Sequence, residues 1–321
     1  MFVILLTLLA YLLVGLMIGI GVWHVWLRTT VGKFQSDETM TGKTVLITGG
    51  NSGLGLETVR DLARRGARII MASRKIDVGM KVRDEIIEET GNKNIIVRKL
   101  DLSSFQSVRD FSSEILKTEK KIDVLIHNSG CASTSKKRKS VDGLEMTMAT
   151  NHYGPFLLTH LLIDLLKEST PCRILIVSSA YYKIARVDLN NLNPLDTFPF
   201  YLYYVTKTAN IMFGLELAKR LKNSNITVNF INPGMCSTAI FKKVPFPLNL
   251  LVKYSFKNAK EGAQTTIMCS VSKLLQNKSG KYFSDCRETS LMNFVKDDVK
   301  NKKFWEESIK IVQLKSTDPQ I

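Results

Sequence analysis

A single doubly wound α/β domain, one parallel sheet with helices on both faces, behind an N-terminal transmembrane helix, follows from three features of this 321-residue chain. From residue 41 onward, apolar runs of five or six residues alternate with helical stretches of a dozen or more, the signature of parallel βαβ units. The first of these runs leads straight into a glycine-rich turn and then a helix. Ahead of it all, Met1 to Leu27 contain no Asp, Glu, Lys or Arg.

Taken in order, residues 1–28 form the anchor. A bilayer needs about 20 apolar residues in a helix to cross it, and this run is long enough. A cleaved signal peptide would show a basic leader and a shorter apolar stretch; neither is present. Arg28 and Lys33 follow the run and no basic residue precedes it, which places the rest of the chain in the cytosol. Gly15 and Gly19 have the spacing that can pair two such anchors into a homo-oligomer, although small residues are common in any membrane helix. Residues 29–40 are a polar linker. The domain, 41–321, then reads as strand Lys43–Thr48, helix Leu54–Arg65, strand Arg68–Ala72, helix Val78–Thr90, strand Ile95–Leu100 and helix Phe105–Lys117. Strand Ile122–His127, helix Gly143–Lys167, strand Arg173–Ser178, helix Tyr203–Leu221 and strand Ile226–Ile231 complete the pattern. The strands are near-continuous apolar runs, as in sheets buried on both faces. Two long stretches without period, Tyr182–Phe200 and Met235–Asn258, are expected to be functional loops.

Composition narrows the chemistry. With 45% hydrophobic residues the chain can bury a core. Its five scattered cysteines form no C-x-x-C pair, which fits a reducing compartment, and no Cys/His set has metal-ligand spacing, so no metal is expected. The net charge of +16 suits anionic partners. No nucleic-acid module is present, so membrane lipid and a phosphate-rich cofactor are the expected partners.

The turn Thr48-Gly49-Gly50-Asn51-Ser52-Gly53-Leu54-Gly55 lets backbone approach a pyrophosphate at a helix N-terminus. The second strand ends Ala72-Ser73-Arg74-Lys75, without the acid that would bind a free ribose 2′-hydroxyl. Arg74 can instead fork onto a 2′-phosphate, which favours NADP. Asp101, ending the third strand, has the place of an adenine contact or of a helix cap. Tyr203 and Lys207 share one helical face, so the ammonium is expected to lower the phenol's pKa. Ser178 and Ser179 close the fifth strand, on the edge where open sheets bind ligands. Asn151 lies inside the long helix, a catalytic position or a kink ahead of Gly154-Pro155.

Together these residues resemble the short-chain dehydrogenase/reductase superfamily. The motifs are Thr48–Gly55, Asp101, His127-Asn128-Ser129-Gly130, Asn151, Ser179, Tyr203/Lys207 and Asn232-Pro233-Gly234, in the family's order. Residues 151–160, Ala209-Asn210, Glu261–Thr265 and Tyr282–Cys286 are similar to the retinol dehydrogenase group within it. The resemblance implies a Rossmann-type fold and catalysis by Asn151, Ser179, Tyr203 and Lys207. Tyr203 would be the acid/base, Lys207 its electrostatic partner, Ser179 the holder of the substrate oxygen and Asn151 the group that orders a relay water. It implies cofactor contacts from Thr48, Gly49, Asn51, Ser52, Gly53, Leu54, Gly55, Arg74, Asp101, Leu102, Asn128, Tyr203, Lys207, Pro233, Gly234 and Thr238. It also implies interconversion of a hydrophobic alcohol and its aldehyde or ketone, such as retinol and retinal, at the endoplasmic reticulum membrane. The family usually shows Asn-Asn-Ala-Gly after the fourth strand, where this chain has His127 and Ser129, so packing near the adenine is expected to differ. Pro155 stands where the subgroup more often has His, and a kink is expected there.

Two other functions compete: a steroid or fatty-aldehyde reductase of the same superfamily, and a cofactor-binding membrane scaffold with little turnover. The intact Asn151, Ser179, Tyr203 and Lys207 speak against the scaffold. The loop 235–258, with Phe246 and Leu250 among its apolar residues and Lys242, Lys243, Lys253 and Lys257 among its basic ones, reads as a lipid-side lid or as completion of the core. Lys136-Lys137-Arg138-Lys139 is either a solvated loop or a second lipid contact.

Overall fold

A computed structural model describes residues 2–132, 139–236 and 256–321. Thr238, Lys136–Arg138 and most of the proposed lid, Phe246 and Leu250 included, lie outside the described residues. The first helix, α1, runs Phe2–Thr30. It is long and apolar enough to cross a membrane, with a mean hydropathy of 2.7 in its most apolar stretch and none of that stretch buried.

The domain is built on eight strands: β1 Thr44–Thr48, β2 Arg68–Ser73, β3 Ile95–Lys99, β4 Val124–His127, β5 Cys172–Val177, β6 Ile226–Asn232, β7 Tyr282–Ser284 and β8 Arg287–Thr289. Their order in the sheet is β3-β2-β1-β4-β5-β6-β7-β8. All neighbours are parallel except β7 and β8. Alternation within the strands feeds two cores, one on each face. Leu46, Leu125, Ile174, Ile176, Val228 and Phe230 point to one; Val45, Ile47, Val124, Ile126, Leu175 and Ile231 point to the other. The second face is covered by α2 (Gly53–Arg64), α3 (Ile76–Thr90) and α8 (Ala259–Val271), the first by α4 (Phe105–Thr118), the helix that starts at α5 (Met146–Met148) and continues as α6 (Gly154–Glu168), α7 (Pro199–Arg220) and α9 (Asp298–Ile311).

The expected strand and helix cores are present, with three differences. The helix expected from Gly143 starts at Met146, because Gly143 has a left-handed φ of +76°. Between α5 and α6 it widens into a π turn, Ala149–Tyr153. The irregularity therefore sits around Asn151 rather than at Pro155, which occupies the first turn of α6, where its missing N–H costs little. The helix expected from Tyr203 starts four residues earlier, at Pro199. Consequently Tyr203 is one turn inside the helix and rigidly held.

The chain order reverses its direction of growth at β1 and β4: β2 and β3 lie on one side of β1, and β4 on the other. Such a switch leaves a crevice at the carboxyl ends of the strands, the usual ligand position in open α/β sheets.

Candidate active site

That crevice is a cavity of ≈ 490 Å³ lined by the turn after β1, the ends of β2 to β6 and the start of α7. Gly49 and Gly53 take left-handed φ values of +67° and +54°, which only glycine adopts freely. A Cβ on Gly55 would lie 2.3 Å from the Gly49 carbonyl oxygen, so the turn closes tightly only with glycine there. Asn128 Nδ2 donates to the carbonyls of Thr48 (2.9 Å) and Gly49 (3.2 Å) and so fixes the turn's shape from β4. Thr48 sits behind the wall, its Oγ1 accepting from the N–H groups of Asn128 and Ser129. Ser52, the N-cap of α2, makes no side-chain cap bond, so first-turn N–H groups stay open toward the cavity. This cradle fits a pyrophosphate.

At the far end of the cavity Arg74 and Lys75 are exposed, and Arg74 makes no ion pair among the described residues. Asp101 lines the same end, together with Leu102. Its Oδ1 accepts from the N–H and hydroxyl of Ser103, while Ser104 caps α4. The cap of α4 is Ser104 rather than Asp101, which holds the turn while lining the cavity. Ser129 presents its hydroxyl beside Gly49, and His127 is buried behind, its Nε2 2.8 Å from Thr159 Oγ1. Burial pulls His127 down to about 3, so it is a neutral packing group.

The other end gathers Ser178, Ser179, Tyr203, Lys207, Pro233 and Gly234. Ser178 is structural, its Oγ bonding the Lys207 carbonyl at 3.1 Å. Ser179 Oγ accepts from Tyr181 N at 3.3 Å, and its own proton is unengaged among the described residues. The Lys207 ammonium donates to the Val177 carbonyl at 3.0 Å and lies 5.3 Å from the centre of the Tyr203 ring. Burial pulls Lys207 down to about 8. Burial also pushes the Tyr203 phenol up, and Tyr181, Cys236, Tyr204 and Cys131 act in the same direction. The expected lowering by Lys207 is therefore not among the influences on Tyr203. Asn151 does not line the cavity. Its Oδ1 accepts from Cys131 N (2.8 Å), and its Nδ2 donates to Cys131 O (2.8 Å) and Thr206 Oγ1 (3.1 Å). It pins the Gly130-Cys131 wall to α7, next to Lys207.

A short chain dehydrogenase family model matches residues 43–246. The chain belongs to the short-chain dehydrogenase family. Within that family it falls in the retinol dehydrogenase-like group. It is 40% identical over 295 residues to human retinol dehydrogenase 14, covering 86% of this chain and 88% of that one. It is 38% identical over 286 residues to human retinol dehydrogenase 11, with 88% and 90% covered. Among solved structures, an uncharacterized protein from Mycobacterium paratuberculosis superposes with a TM-score of 0.70 at 29% identity, over 88% of this chain and 98% of that one. A short chain dehydrogenase from Escherichia coli complexed with NADPH shares the fold, with a TM-score of 0.65 at 21% identity over 79% of this chain and 100% of that one. Membership makes the chain an oxidoreductase of the alcohol dehydrogenase type.

Sequence reasoning missed part of this short-chain dehydrogenase site. Tyr181 and Tyr204 stack at 4.7 Å and line the wall with Phe200, Met235, Cys131 and Cys236. Asn232 ties three loops together, its Oδ1 accepting from Ala180 N and Gly234 N and its Nδ2 donating to Ser284 Oγ. Its position directly before Pro233-Gly234 was the available signal.

Proposed function

We propose that this chain is a membrane-anchored, NADP(H)-dependent oxidoreductase that interconverts a hydrophobic alcohol and its carbonyl, with retinol and retinal as the favoured pair. The carrying observation is one cavity that has a glycine cradle at its centre, the exposed cations Arg74 and Lys75 and no acid at the end of β2 on one side, and Ser179, Tyr203 and Lys207 on the other. Similarity to retinol dehydrogenases 14 and 11 over most of the chain supports the retinoid. In this reading residues 1–28 are the anchor, 29–40 the linker and 41–321 the catalytic domain. That domain faces the cytosol from the endoplasmic reticulum, and pairing through Gly15 and Gly19 would make a homo-oligomer.

When bound, the nicotinamide supplies the hydride for reduction or accepts it in oxidation. The protein handles the proton. Ser179 donates its free O–H to the substrate oxygen and positions it. Tyr203, whose phenol burial pushes above its ordinary value, delivers its proton to that oxygen as negative charge develops. Lys207, buried and held by Val177, supplies a positive charge 5.3 Å from the centre of the Tyr203 ring. Asn151 holds the wall that keeps this group closed. The glycine cradle and the α2 N-terminus, braced from behind by Thr48 and Asn128, would take the pyrophosphate. Arg74 takes the 2′-phosphate, and Asp101 and Leu102 flank the adenine. Pro233 and Gly234 close the nicotinamide side.

The test is an assay of the purified full-length protein in detergent with NADPH or NADH against retinal, a steroid ketone, a long-chain aldehyde and a small soluble aldehyde. Preferential turnover of retinal with NADPH is expected. Preference for the steroid or the fatty aldehyde would replace the retinoid, and no turnover of any carbonyl would overturn the enzyme reading.

A further inference from the structure

The segment that joins α1 to the first strand is a strap, bound along its length. From Gly32 to Met40 every odd-numbered residue is exposed and every even-numbered one is partly or fully buried. A Cβ on Gly32 would lie 2.1 Å from the Asp285 carbonyl oxygen, and Gly32 N donates to Asp285 Oδ1 at 3.4 Å. Phe34 N donates to Gln264 Oε1 at 3.0 Å, and its ring lies under the Arg65 guanidinium. Arg65 also bonds the carbonyls of Ser36 (2.7 Å) and Glu38 (2.8 Å), and Glu38 accepts from Lys273 N. At the helix end, Arg28 pairs with Glu261 of α8.

The same contacts reach the pocket. Asp285 pairs with Lys257, a buried lysine whose backbone N–H bonds the Met235 carbonyl at 2.8 Å and whose Nζ approaches the Pro233 carbonyl at 3.4 Å. Pro233, Gly234 and Met235 are part of the cavity wall. Gly32, Asp285, Lys257 and Met235 thus form a continuous chain of contacts. Only Val31 separates Thr30, the last residue of α1, from Gly32. The two steps from Thr30 to Gly32 span at most about 7 Å of extended chain, so the tether has no slack.

We propose that the strap clamps the pocket mouth at Met235 against the bilayer surface, so that a lipid-dissolved substrate enters directly from the membrane. The occupant of this surface is lipid. Met235 is 51% exposed at the rim, beside Phe200 in the cavity wall and its neighbour Phe198. Lys33 and Lys260 are exposed on the strap side. An apolar rim with adjacent cations fits an anionic headgroup layer. The inference rests on reading residues 1–28 as a membrane anchor.

The test uses the full chain in vesicles of phosphatidylcholine and phosphatidylserine. A fluorescent amino acid is placed at Met235 or, for comparison, at Lys222 in the turn between α7 and β6, and lipid-borne quenchers are added. Several-fold stronger quenching at 235 than at 222 is expected. Equal quenching in protein that floats with the vesicles overturns the mouth-to-membrane contact alone; failure to float overturns the anchor and this inference with it. In Gly32→Val and Asp285→Asn, quenching at 235 is expected to fall while flotation persists. Asn tolerates the φ of +50° at 285, which makes the second variant a guard against misfolding in the first. Undiminished quenching in both would overturn the strap's role.

Discussion

Tyr203 lines the pocket with its phenol largely buried. Burial and the neighbouring tyrosines and thiols hold its phenol above the ordinary value, which keeps the proton on the oxygen for the proposed role of donor in reduction. Tyr203→Phe keeps the ring that lines the cavity and removes only the proton. Turnover is expected to fall at least a hundredfold, within the range general acid catalysis contributes, while NADPH binding measured by fluorescence changes little. Retained turnover would assign the proton to another group. Arg74 is argued from charge. A charge-assisted bond to a phosphate contributes about 1.5–3 kcal/mol, so Arg74→Ala should raise the KM for NADPH roughly ten- to a hundredfold and leave that for NADH nearly unchanged. Equal changes in both constants would transfer the role to Lys75, the other cation at that end. Single residues were legible where backbone chemistry demands a residue type, as at Gly49, Gly53 and Gly55. They were illegible where a role depends on what folds nearby. Nothing in Tyr181 or Tyr204 alone announces that they stack.

At the scale of elements, the interior strands and helices were readable because burial on two faces leaves long apolar runs and helical periodicity. The edge was not. Strands β7 and β8 have three residues each, and β8 is fully exposed. Helix α8 mixes small polar and apolar residues, and α9 carries charge around much of its surface, so neither shows a period. The linker was read as polar chain, although Val31 and Met40 are 7% and 4% exposed and alternate residues between them pack inward. A chain beginning at Thr41 is still expected to fold, since both cores lie almost wholly beyond that point. It loses Val31, Met40 and the Arg65 bonds, and burying each such side chain stabilises by about 1.5–3 kcal/mol. Compared with a chain beginning at Val31, its Tm should be lower by roughly 6–24 °C, given about 2–4 °C per kcal/mol for a domain of this size. Matching melting curves would show that the strap binds without stabilising.

Across the whole molecule, the larger core contains three imidazoles whose burial disfavours a second proton. His127 on β4 bonds Thr159 of α6. His152, in the π turn, bonds Ser308 of α9 and stacks on Phe304 at 4.7 Å. His160 bonds the Phe156 carbonyl and meets Trp305, whose ring lies between Phe156, Phe213 and Arg220. Burial pulls the three down to about 3, 3 and 4, against about 6.5 in an unfolded chain. Below pH 6.5 the unfolded chain therefore binds more protons than the folded one. Stability is fully present above that value and is lost as pH falls toward 3–4. At pH 5.5 the loss is roughly 1 kcal/mol per imidazole, about 3–4 kcal/mol together, or on the order of 10 °C in Tm. Carboxylates act in a lower window. For Asp123, burial works upward, but bonds from Lys43, the Thr44 N–H and Lys121 outweigh it and leave its pKa below the ordinary value. Its contribution therefore fades only below about pH 4. A Tm series from pH 7.5 to 5 thus isolates the histidines. A steady fall in that interval, smaller in His152→Gln, is expected; a flat profile would mean that these rings are protonated within the fold and that the aromatic seal between the sheet and α9 is open to water.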